Sequence, residues 1–425
     1  MKKLLLFFFL LITTLGFTQN YYLHCGKIID TKNGKMLHRM TIVVTKNMIT
    51  EVKKGFVNPA DKSVKVINLE NKTVMPGLID LHVHMEGQFN PRSFIDRFTK
   101  DEADIALHAT VYAKRTLMAG FTTVRDLGGS GVNTKLRNAI NKGYVIGPRI
   151  YSAGKAIGST GGHADPTDGF REDLMGDPGP KEGIINSADD ARKAVRQRYK
   201  NGANVIKIMA TGGVLSIEKN SANPQLTLEE IKAVCQTAKD YGMIVAAHAH
   251  GDEGIRRAIL GGVNTIEHGT LMKESTMDLM IKHGTYLVPT IIAAKEVAKD
   301  AKIKGFFPAI IVPKALAIGP KSQSTFAKAY KKGVKIAFGT DAGVYPHGEN
   351  AREFAYMVEA GMPAIKAIQA ATYTNAHILK NEKLGQIAKG MFADIVAVNG
   401  NPLKDIKLMQ KVQFVMKNGV IYKQK

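Results

Sequence analysis

Apolar runs of strand length alternate with helical patterns through the central part of the chain. Eight runs are predicted as strands, at residues 78–84, 121–126, 148–153, 204–209, 243–248, 264–268, 285–289 and 335–340. Apolar positions at helical spacing separate them, at residues 102–119, 187–199, 228–240, 252–260, 274–282 and 351–360. Strands that alternate with helices favour parallel pairing. The pattern therefore predicts an α/β fold, namely a (β/α)8 TIM barrel.

Shorter strand patterns flank this central region on both sides. Before it, turn signals separate apolar runs at residues 23–30, 40–44, 48–52 and 64–68. After it come runs at residues 393–398 and 412–416, with a hairpin turn at residues 417–420. We predict that both termini build one small β-sandwich around the inserted barrel. The predicted boundaries are residues 20–76 and 381–425 for the two parts of the sandwich and residues 77–380 for the barrel.

The first 19 residues follow a different pattern. Lys2 and Lys3 precede an unbroken apolar run from Leu4 to Ile12, and a more polar stretch follows. This order predicts a signal peptide at residues 1–19. The run is too short to span a bilayer. We expect an exported protein, periplasmic or extracellular, without stable membrane insertion after cleavage.

Composition narrows the classes of function. A chain of 425 residues with 44% hydrophobic content can bury a large core. The formal net charge is +22, but the lysines are scattered over predicted helix faces and no motif interleaves aromatic with basic residues. Nucleic-acid binding is therefore not expected. The two cysteines, Cys25 and Cys235, are too few for a disulfide framework.

Candidate metal ligands stand where predicted strands end. In a (β/α)8 barrel the active site forms at the carboxyl ends of the strands. The candidates are His82 and His84 on the first strand, Lys207 on the fourth, His248 on the fifth, His268 on the sixth and Asp341 after the eighth. Each has an ordinary structural explanation when taken alone. Six of them at the expected strand ends indicate one shared site.

These residue types suit a pair of divalent cations, with zinc as the expected metal. An ammonium group beside two dications would be repelled, whereas a neutral Lys207 amine can react with carbon dioxide to form a carbamate that bridges two metals. Two metals roughly 3.5–4 Å apart can share a water and lower its pKa toward about 7. We therefore expect hydrolysis of an amide or ester by a metal-bridging hydroxide, with Asp341 moving the proton.

Several motifs resemble those of the amidohydrolase superfamily. The first is PGLIDLHVH at residues 76–84, and Lys207, His248, His268 and Asp341 extend the resemblance over nearly the whole mature chain. Further stretches are STGGH at residues 159–163, IKIMATGG at 206–213, HAHG at 248–251, TIEHG at 265–269 and GTDAG at 339–343. They are similar to the binuclear zinc dipeptidases that act on Xaa-Pro or on Xaa-Arg and Xaa-Lys dipeptides, a branch related to imidazolonepropionase.

The resemblance implies a role for each residue of the site. His82, His84 and Asp341 would hold the first metal, His248 and His268 the second, and carboxylated Lys207 would bridge them. His163 would face the substrate carbonyl, and His250 would either meet the substrate carboxylate or support a metal ligand from behind. His347, on the loop after the eighth strand, either lines the same mouth or is merely exposed.

The interpretation is an exported, binuclear, metal-dependent amidohydrolase. Its expected partner is a small dipeptide or N-acyl amino acid with a free carboxylate, of the Xaa-Pro or Xaa-Arg/Lys type. Two alternatives stay open, namely an aryl-amide or lactam hydrolase like imidazolonepropionase and a non-catalytic metal-binding protein. The sequence does not select one substrate, and a homo-oligomer is compatible with it.

Overall fold

The structure, a computed structural model, describes residues 20–425. The predicted signal peptide at residues 1–19 lies outside the described residues. Within residues 20–425, no helix combines the length and the hydrophobicity that a membrane crossing requires.

Residues 20–425 form fourteen strands and thirteen α-helices, and six of the helices lie where the sequence predicts them. The strands are β1 Asn20–Asp30, β2 Lys35–Thr45, β3 Met48–Lys54, β4 Lys65–Pro76, β5 Leu78–Val83, β6 Phe121–Asp126, β7 Arg149–Ser152, β8 Val205–Met209, β9 Ile244–Ala249, β10 Thr265–His268, β11 Tyr286–Val288, β12 Ile395–Asn399, β13 Val412–Lys417 and β14 Val420–Gln424. The α-helices are α1 Ser93–Thr99, α2 Glu102–Met118, α3 Val132–Asn141, α4 Glu172–Met175, α5 Ala188–Lys200, α6 Leu228–Asp240, α7 Asp252–Gly261, α8 Glu274–His283, α9 Ile291–Asp300, α10 Ile311–Lys332, α11 Arg352–Glu359, α12 Ala364–Gln369 and α13 Asn375–Ile378. A π-helical turn spans Ala370–Thr374, and a 3-10 helix spans Ile406–Gln410.

The two ends of the chain share one mixed sheet. Its strand order is β14-β13-β12-β4-β1-β2-β3, and the antiparallel pair β4–β12 joins the terminal segments. The sequence predicts a two-layered sandwich here. All seven strands are hydrogen-bonded in one continuous sheet, so their pairing does not separate two layers. Ile49 and Met416, from opposite parts of the strand order, belong to one buried apolar cluster. The predicted hairpin joins β13 to β14, with Asn418 and Gly419 at φ 49° and 75°, as a two-residue turn requires.

Seven parallel strands form the centre of the molecule. β5, β6 and β7 pair in one sheet, and β8, β9, β10 and β11 pair in sequence order in another. Each coincides with a predicted strand. Every residue of β5, β6, β8 and β9 is buried, as expected for parallel strands that helices cover. A bridge between Ile157 and Ile208 connects β8 to the segment after β7.

The regular eighth strand that we predicted at residues 335–340 is absent from the described residues. The segment 335–342 instead makes isolated parallel bridges, from Ile336 to Leu287 of β11 and from Ala342 to Val83 of β5. The side chain of Asn375 replaces part of the missing ladder. Its Nδ2 donates to the carbonyl oxygens of Ile79 and Phe338, both at 2.8 Å, and its Oδ1 accepts from the Phe338 amide at 3.2 Å.

Two of the barrel helices begin with reciprocal capping. The Asp101 side chain caps α2 and the Thr227 side chain caps α6, and in each case the residue at N3, Asp104 or Glu230, bonds back to the cap backbone. Such capping boxes define where a helix starts from local sequence alone. This explains why these two starts agree with the predicted ones.

The role of Asn375 can be tested by its replacement with alanine. The variant would leave the amide of Phe338 without its acceptor and would remove one donor each from the carbonyl oxygens of Ile79 and Phe338, which should lower the free energy of unfolding by about 2–4 kcal/mol. Urea denaturation would measure the difference. His377→Ala, at an exposed position of the same helix, is the control. Equal stability of the two variants would show that Asn375 does not hold the 335–342 segment.

Candidate metal centre

The predicted site residues meet in one cavity at the carboxyl ends of the parallel strands. Its volume is about 710 Å³. The residues that line it include His82, His84, His163, Lys207, His248, His250, His268 and Asp341. All eight residues that the sequence assigned to the site are therefore brought together.

His82, His84 and Asp341 form one side of the centre. Asp341 Oδ1 lies 3.4 Å from His82 Nε2 and 3.2 Å from His84 Nε2. The Nδ1 atom of His82 is 2.9 Å from a Glu267 carboxylate oxygen, and that of His84 is 2.8 Å from the Gly128 carbonyl oxygen. Because both partners accept hydrogen bonds, each ring carries its hydrogen on Nδ1. A neutral ring then turns the lone pair of Nε2 toward Asp341.

This arrangement of acceptors fits a divalent cation. Among residues 20–425, Asp341 Oδ1 is a buried oxygen without a hydrogen-bond partner. A buried carboxylate is costly unless positive charge balances it. His82, His268 and Asp341 each place one ligand atom within 4.8 Å of the others. Imidazole and carboxylate are the ligand types that zinc and similar metals take in proteins, so the residues present suit the predicted metal.

Burial and mutual charge set the protonation of these groups. Burial lowers the pKa of His82 well below its ordinary value, which keeps the ring neutral. Burial raises the pKa of Asp341, but the nearby His82 and His84 lower it by a larger amount. The net shift is downward and favours the ionised carboxylate. Burial lowers the pKa of His84, and the Asp341 carboxylate reverses this to a net increase.

Lys207 reaches the same centre from β8. Its Nζ lies 3.4 Å from His82 Nε2, and only 1% of the residue is exposed. Burial lowers the pKa of this lysine to about 8, against the opposing effects of Glu267 and Asp341. The lower pKa increases the share of the neutral amine, which is the form that reacts with carbon dioxide.

His248, His250 and His268 form the other side of the centre. One ligand atom of each lies within 4.8 Å of the others. His268 Nδ1 contacts Thr290 Oγ1 at 2.7 Å, and His250 Nδ1 contacts Thr270 Oγ1 at 3.0 Å. His250, which the sequence places at the substrate, also contributes to this group of potential ligand atoms, and His268 belongs to both groups.

His163 packs directly against this second side. Its ring centroid lies 4.4 Å from that of His248, and its Nδ1 lies 2.8 Å from Ser216 Oγ. A Cβ at Gly213 would lie 2.3 Å from the His163 ring, so only glycine permits this approach. Burial lowers the pKa of His163 to about 4, and the ring is therefore neutral at neutral pH.

His347 does not line the cavity. Its Nε2 lies 2.8 Å from the Gly87 carbonyl oxygen, its ring stacks on Tyr112 with centroids 4.8 Å apart, and 4% of the residue is exposed. The residue is therefore neither at the mouth nor at the surface, the two places that the sequence allowed. It supports the loop that follows β5.

Comparisons with known proteins identify the family. Residues 73–422 match the model of the amidohydrolase family. The chain belongs to this family. Among its relatives, ochratoxinase from Aspergillus niger is 32% identical over 421 residues, which cover 92% of this chain and 84% of that protein.

Solved structures of other proteins are also similar. A Xaa-Pro dipeptidase with methionine bound in its active site superposes with a TM-score of 0.92 at 51% identity, over 95% of this chain and 100% of the other. A prolidase complexed with N-methylphosphonate-L-proline gives a TM-score of 0.86 at 33% identity, over 96% of this chain and 100% of the other. These similarities confirm the predicted family with its dipeptidase branch.

Membership in the family confirms the coarse predictions from the sequence. The protein is an enzyme, a hydrolase that acts on carbon–nitrogen bonds of amides. The fold of its relatives is a TIM barrel with an additional domain. The alternative of a non-catalytic binding protein therefore has no support.

Two buried charged residues behind the amidohydrolase centre escaped the sequence analysis. Glu267 joins His82 to Arg125, whose Nη2 donates to Glu267 Oε1 at 2.8 Å. Arg125 also donates to the Leu81 carbonyl oxygen at 2.6 Å, and neither charged residue is exposed. The available signal was a charged residue in the interior of a predicted strand, which occurs in β6 and again in β10.

Asp80 connects β5 with the 335–342 segment directly beneath the ligands. Its Oδ1 accepts from the amides of His82 at 3.0 Å and Thr340 at 3.1 Å. Its Oδ2 accepts from Thr340 Oγ1 at 2.6 Å and from Asn350 Nδ2 at 2.8 Å. Burial raises the pKa of Asp80 to about 7, although these hydrogen bonds oppose the shift.

Three polar residues that line the cavity have a left-handed backbone. The φ angles are 72° at His268, 49° at Thr290 and 61° at Asp341. This conformation costs a residue with a side chain about 1–2 kcal/mol. Surrounding contacts must enforce it, such as the 2.7 Å hydrogen bond from the Asp341 amide to the His82 carbonyl oxygen.

Replacement of Thr290 by valine tests how the His268 ring is oriented. Valine keeps the branched shape but removes the hydroxyl that contacts Nδ1, so metal affinity should fall about 10- to 100-fold. Titration with a competing chelator would measure the affinity. Thr276→Val is a matched control, because Thr276 is buried and its hydroxyl has no hydrogen-bond partner within residues 20–425. Unchanged metal affinity in Thr290→Val would rule out this orienting role.

Proposed function

We propose that this amidohydrolase hydrolyses dipeptides or N-acyl amino acids with a free carboxylate, of the Xaa-Pro or Xaa-Arg/Lys type. The observation that carries the proposal is the convergence of all eight predicted site residues on one cavity. The similar structures support the substrate class, since one is a Xaa-Pro dipeptidase and another is a prolidase. We further propose that the enzyme acts outside the cytoplasm, which rests on the pattern of residues 1–19 alone.

The proposed cofactors are two divalent metal ions, with zinc as the expected metal. The proposed ligands are His82, His84 and Asp341 for one ion, His248 and His268 for the other, and a carbamate on Lys207 between them. When bound, such ions supply Lewis acidity, which polarises a carbonyl group and makes water more acidic.

Asp341 is the proposed proton carrier of the reaction. Its ionised carboxylate takes a proton from the attacking water and delivers it to the leaving nitrogen. The carbonyl carbon thereby gains a hydroxyl group, the carbon–nitrogen bond breaks, and the amine leaves. His163 is the proposed contact at the scissile group, because its ring packs against His248. His250 is the proposed contact toward the substrate carboxylate.

Lys155 is the cation of the cavity that best suits the substrate carboxylate. It lines the cavity, and its side chain has no hydrogen bond or ion pair with any residue in the described range 20–425. The other cations at the mouth are engaged. Lys100 pairs with Asp96 at 2.7 Å, and the Arg97 guanidinium lies 5.4 Å from the centre of the Phe94 ring. An unpaired ammonium group gives an anionic substrate an electrostatic anchor.

Aryl-amide hydrolysis is the second candidate function. The cavity of about 710 Å³ is larger than a dipeptide requires, and it falls in the range of pockets that hold drug-sized molecules. Leu215, Ile217, Val297 and Ile318 give it an apolar wall. The similarity to ochratoxinase is in keeping with this candidate.

A panel of substrates separates the two candidates. The zinc-loaded protein without residues 1–19 would be assayed on dipeptides whose C-terminal residue is proline, basic, apolar or acidic, and on aryl amides. We expect cleavage of the proline or basic class. Cleavage of aryl amides alone would overturn the dipeptidase proposal.

The role of Asp341 can be tested in the same assay. Asp341→Asn should lower turnover about 10²- to 10⁴-fold with the fold intact. Equal turnover in Asp341→Asn would remove Asp341 from proton transfer.

The role of Lys155 can be tested with paired substrates. Lys155→Met should lower kcat/KM about 10-fold or more on a substrate with a free carboxylate and leave its carboxamide analogue nearly unaffected. Lys155→Arg, which keeps the charge, should retain most of the activity. An equal loss on both substrates would mean that Lys155 does not bind the carboxylate.

A further inference from the structure

One wall of the cavity is a loop that has no regular secondary structure. It runs from Gly213 to Glu218 between β8 and α6, and the cavity-lining residues Val214, Leu215, Ser216 and Ile217 belong to it. A segment without a backbone ladder needs other contacts to keep one conformation. Ser216 matters most, because its hydroxyl contacts His163.

A buried lysine from another element supplies those contacts. Lys314 is on α10, and its Nζ donates to the carbonyl oxygens of Gly213 at 3.0 Å, Ser216 at 2.5 Å and Glu218 at 2.7 Å. Only 7% of Lys314 is exposed. Three carbonyl oxygens around one ammonium group use all of its hydrogen-bond donors.

The helix that carries Lys314 is itself held closely. A Cβ at Gly319 of α10 would lie 2.4 Å from Ala298 Cβ of α9, so the two helices are in direct contact there. The first turn of α9 is fixed in turn by Glu353, whose carboxylate accepts from the amides of Ile291 at 2.9 Å and Ile292 at 2.7 Å. The ammonium group of Lys314 therefore approaches the loop from a rigid element.

Within the loop, hydrogen bonds lead from this cation to His163. Glu218 Oε1 accepts from the Gly213 amide at 2.5 Å and from the Ser216 hydroxyl at 2.6 Å. Because the Ser216 hydroxyl donates its hydrogen to the Glu218 carboxylate, the Ser216 oxygen accepts a hydrogen bond from His163 Nδ1 at 2.8 Å. The ring hydrogen is thereby assigned to Nδ1, and Nε2 is the nitrogen left to meet a substrate.

We propose that Lys314 is a positioning residue that acts as a tethered cation, folding the 213–218 loop around its ammonium group so that Ser216 holds His163 in place. The proposal concerns the site of the proposed amidase reaction, but the conformation of the loop can be measured without any substrate. In the absence of positive charge at this point, three carbonyl groups would face one another with no donor between them.

The test compares two substitutions of different size. Lys314→Ala removes the charge and leaves space for a small cation, whereas Lys314→Met removes the charge and keeps the bulk. Both should reduce hydrogen-exchange protection of the Gly213 amide and lower kcat/KM about 10-fold or more. Methylammonium chloride should restore protection and activity in Lys314→Ala but not in Lys314→Met. Lys321→Ala, an exposed lysine on the same helix, is the control.

Two outcomes would overturn the proposal. One is wild-type protection of the Gly213 amide in Lys314→Met, and the other is an equal response of both variants to methylammonium. Should Lys314 variants fail to fold, Ser216→Ala provides the second test, because it keeps the cation and the bond from the Gly213 amide to Glu218 but removes the hydroxyl that joins Glu218 to His163. Activity should then fall while loop protection persists, and full activity would contradict the role of Ser216. Failure of the dipeptidase proposal would appear as inactivity of the wild type, which leaves the exchange measurement valid.

Discussion

The Asp80 carboxylate is the contact on which the geometry of the site depends. It binds the amide of His82 on one side and the amide and hydroxyl of Thr340 on the other, so it ties the first parallel strand to the segment that ends in Asp341. These segments are 260 residues apart in the chain. Every donor to Asp80 lies on or next to a residue that carries a metal ligand, or on the loop that follows. A shift of this carboxylate would separate His82 from Asp341.

The buried cations of this fold have two different kinds of contact. Lys314 and Arg198 are buried cations that donate to backbone carbonyl oxygens. Nε and Nη1 of Arg198 donate to those of Lys155 at 2.8 Å and Lys181 at 3.0 Å. Such groups can stay charged because oxygen atoms surround them. Lys207 instead faces a ring nitrogen of His82. Among the described residues, the buried lysines Lys314 and Lys417 donate to carbonyl oxygens, whereas no carbonyl oxygen contacts the Lys207 amine, and this distinguishes Lys207 chemically.

The sequence predicted what depends on local pattern. Buried parallel strands are apolar runs, and ligands at their ends could be recognised by position alone, as with His82 and His248. The prediction of a regular strand at residues 335–340 was wrong. Asn375 takes over part of the hydrogen bonding of this segment, and it lies 37 residues beyond Phe338. The partner of His82, Glu267, lies 185 residues away, and no local pattern links the two. Contacts of this kind depend on how strands that are distant in the sequence pack together, and not on any single stretch.

The left-handed backbone at His268, Thr290 and Asp341 has a consequence for how this protein can change over time. Substitution by glycine would relieve strain at each of these positions and would also remove a group of the centre. Selection for thermal robustness and selection for catalysis therefore act in opposite directions at the same three residues. Improvements in robustness should accumulate in the terminal sheet and the outer helices, where no such conflict exists.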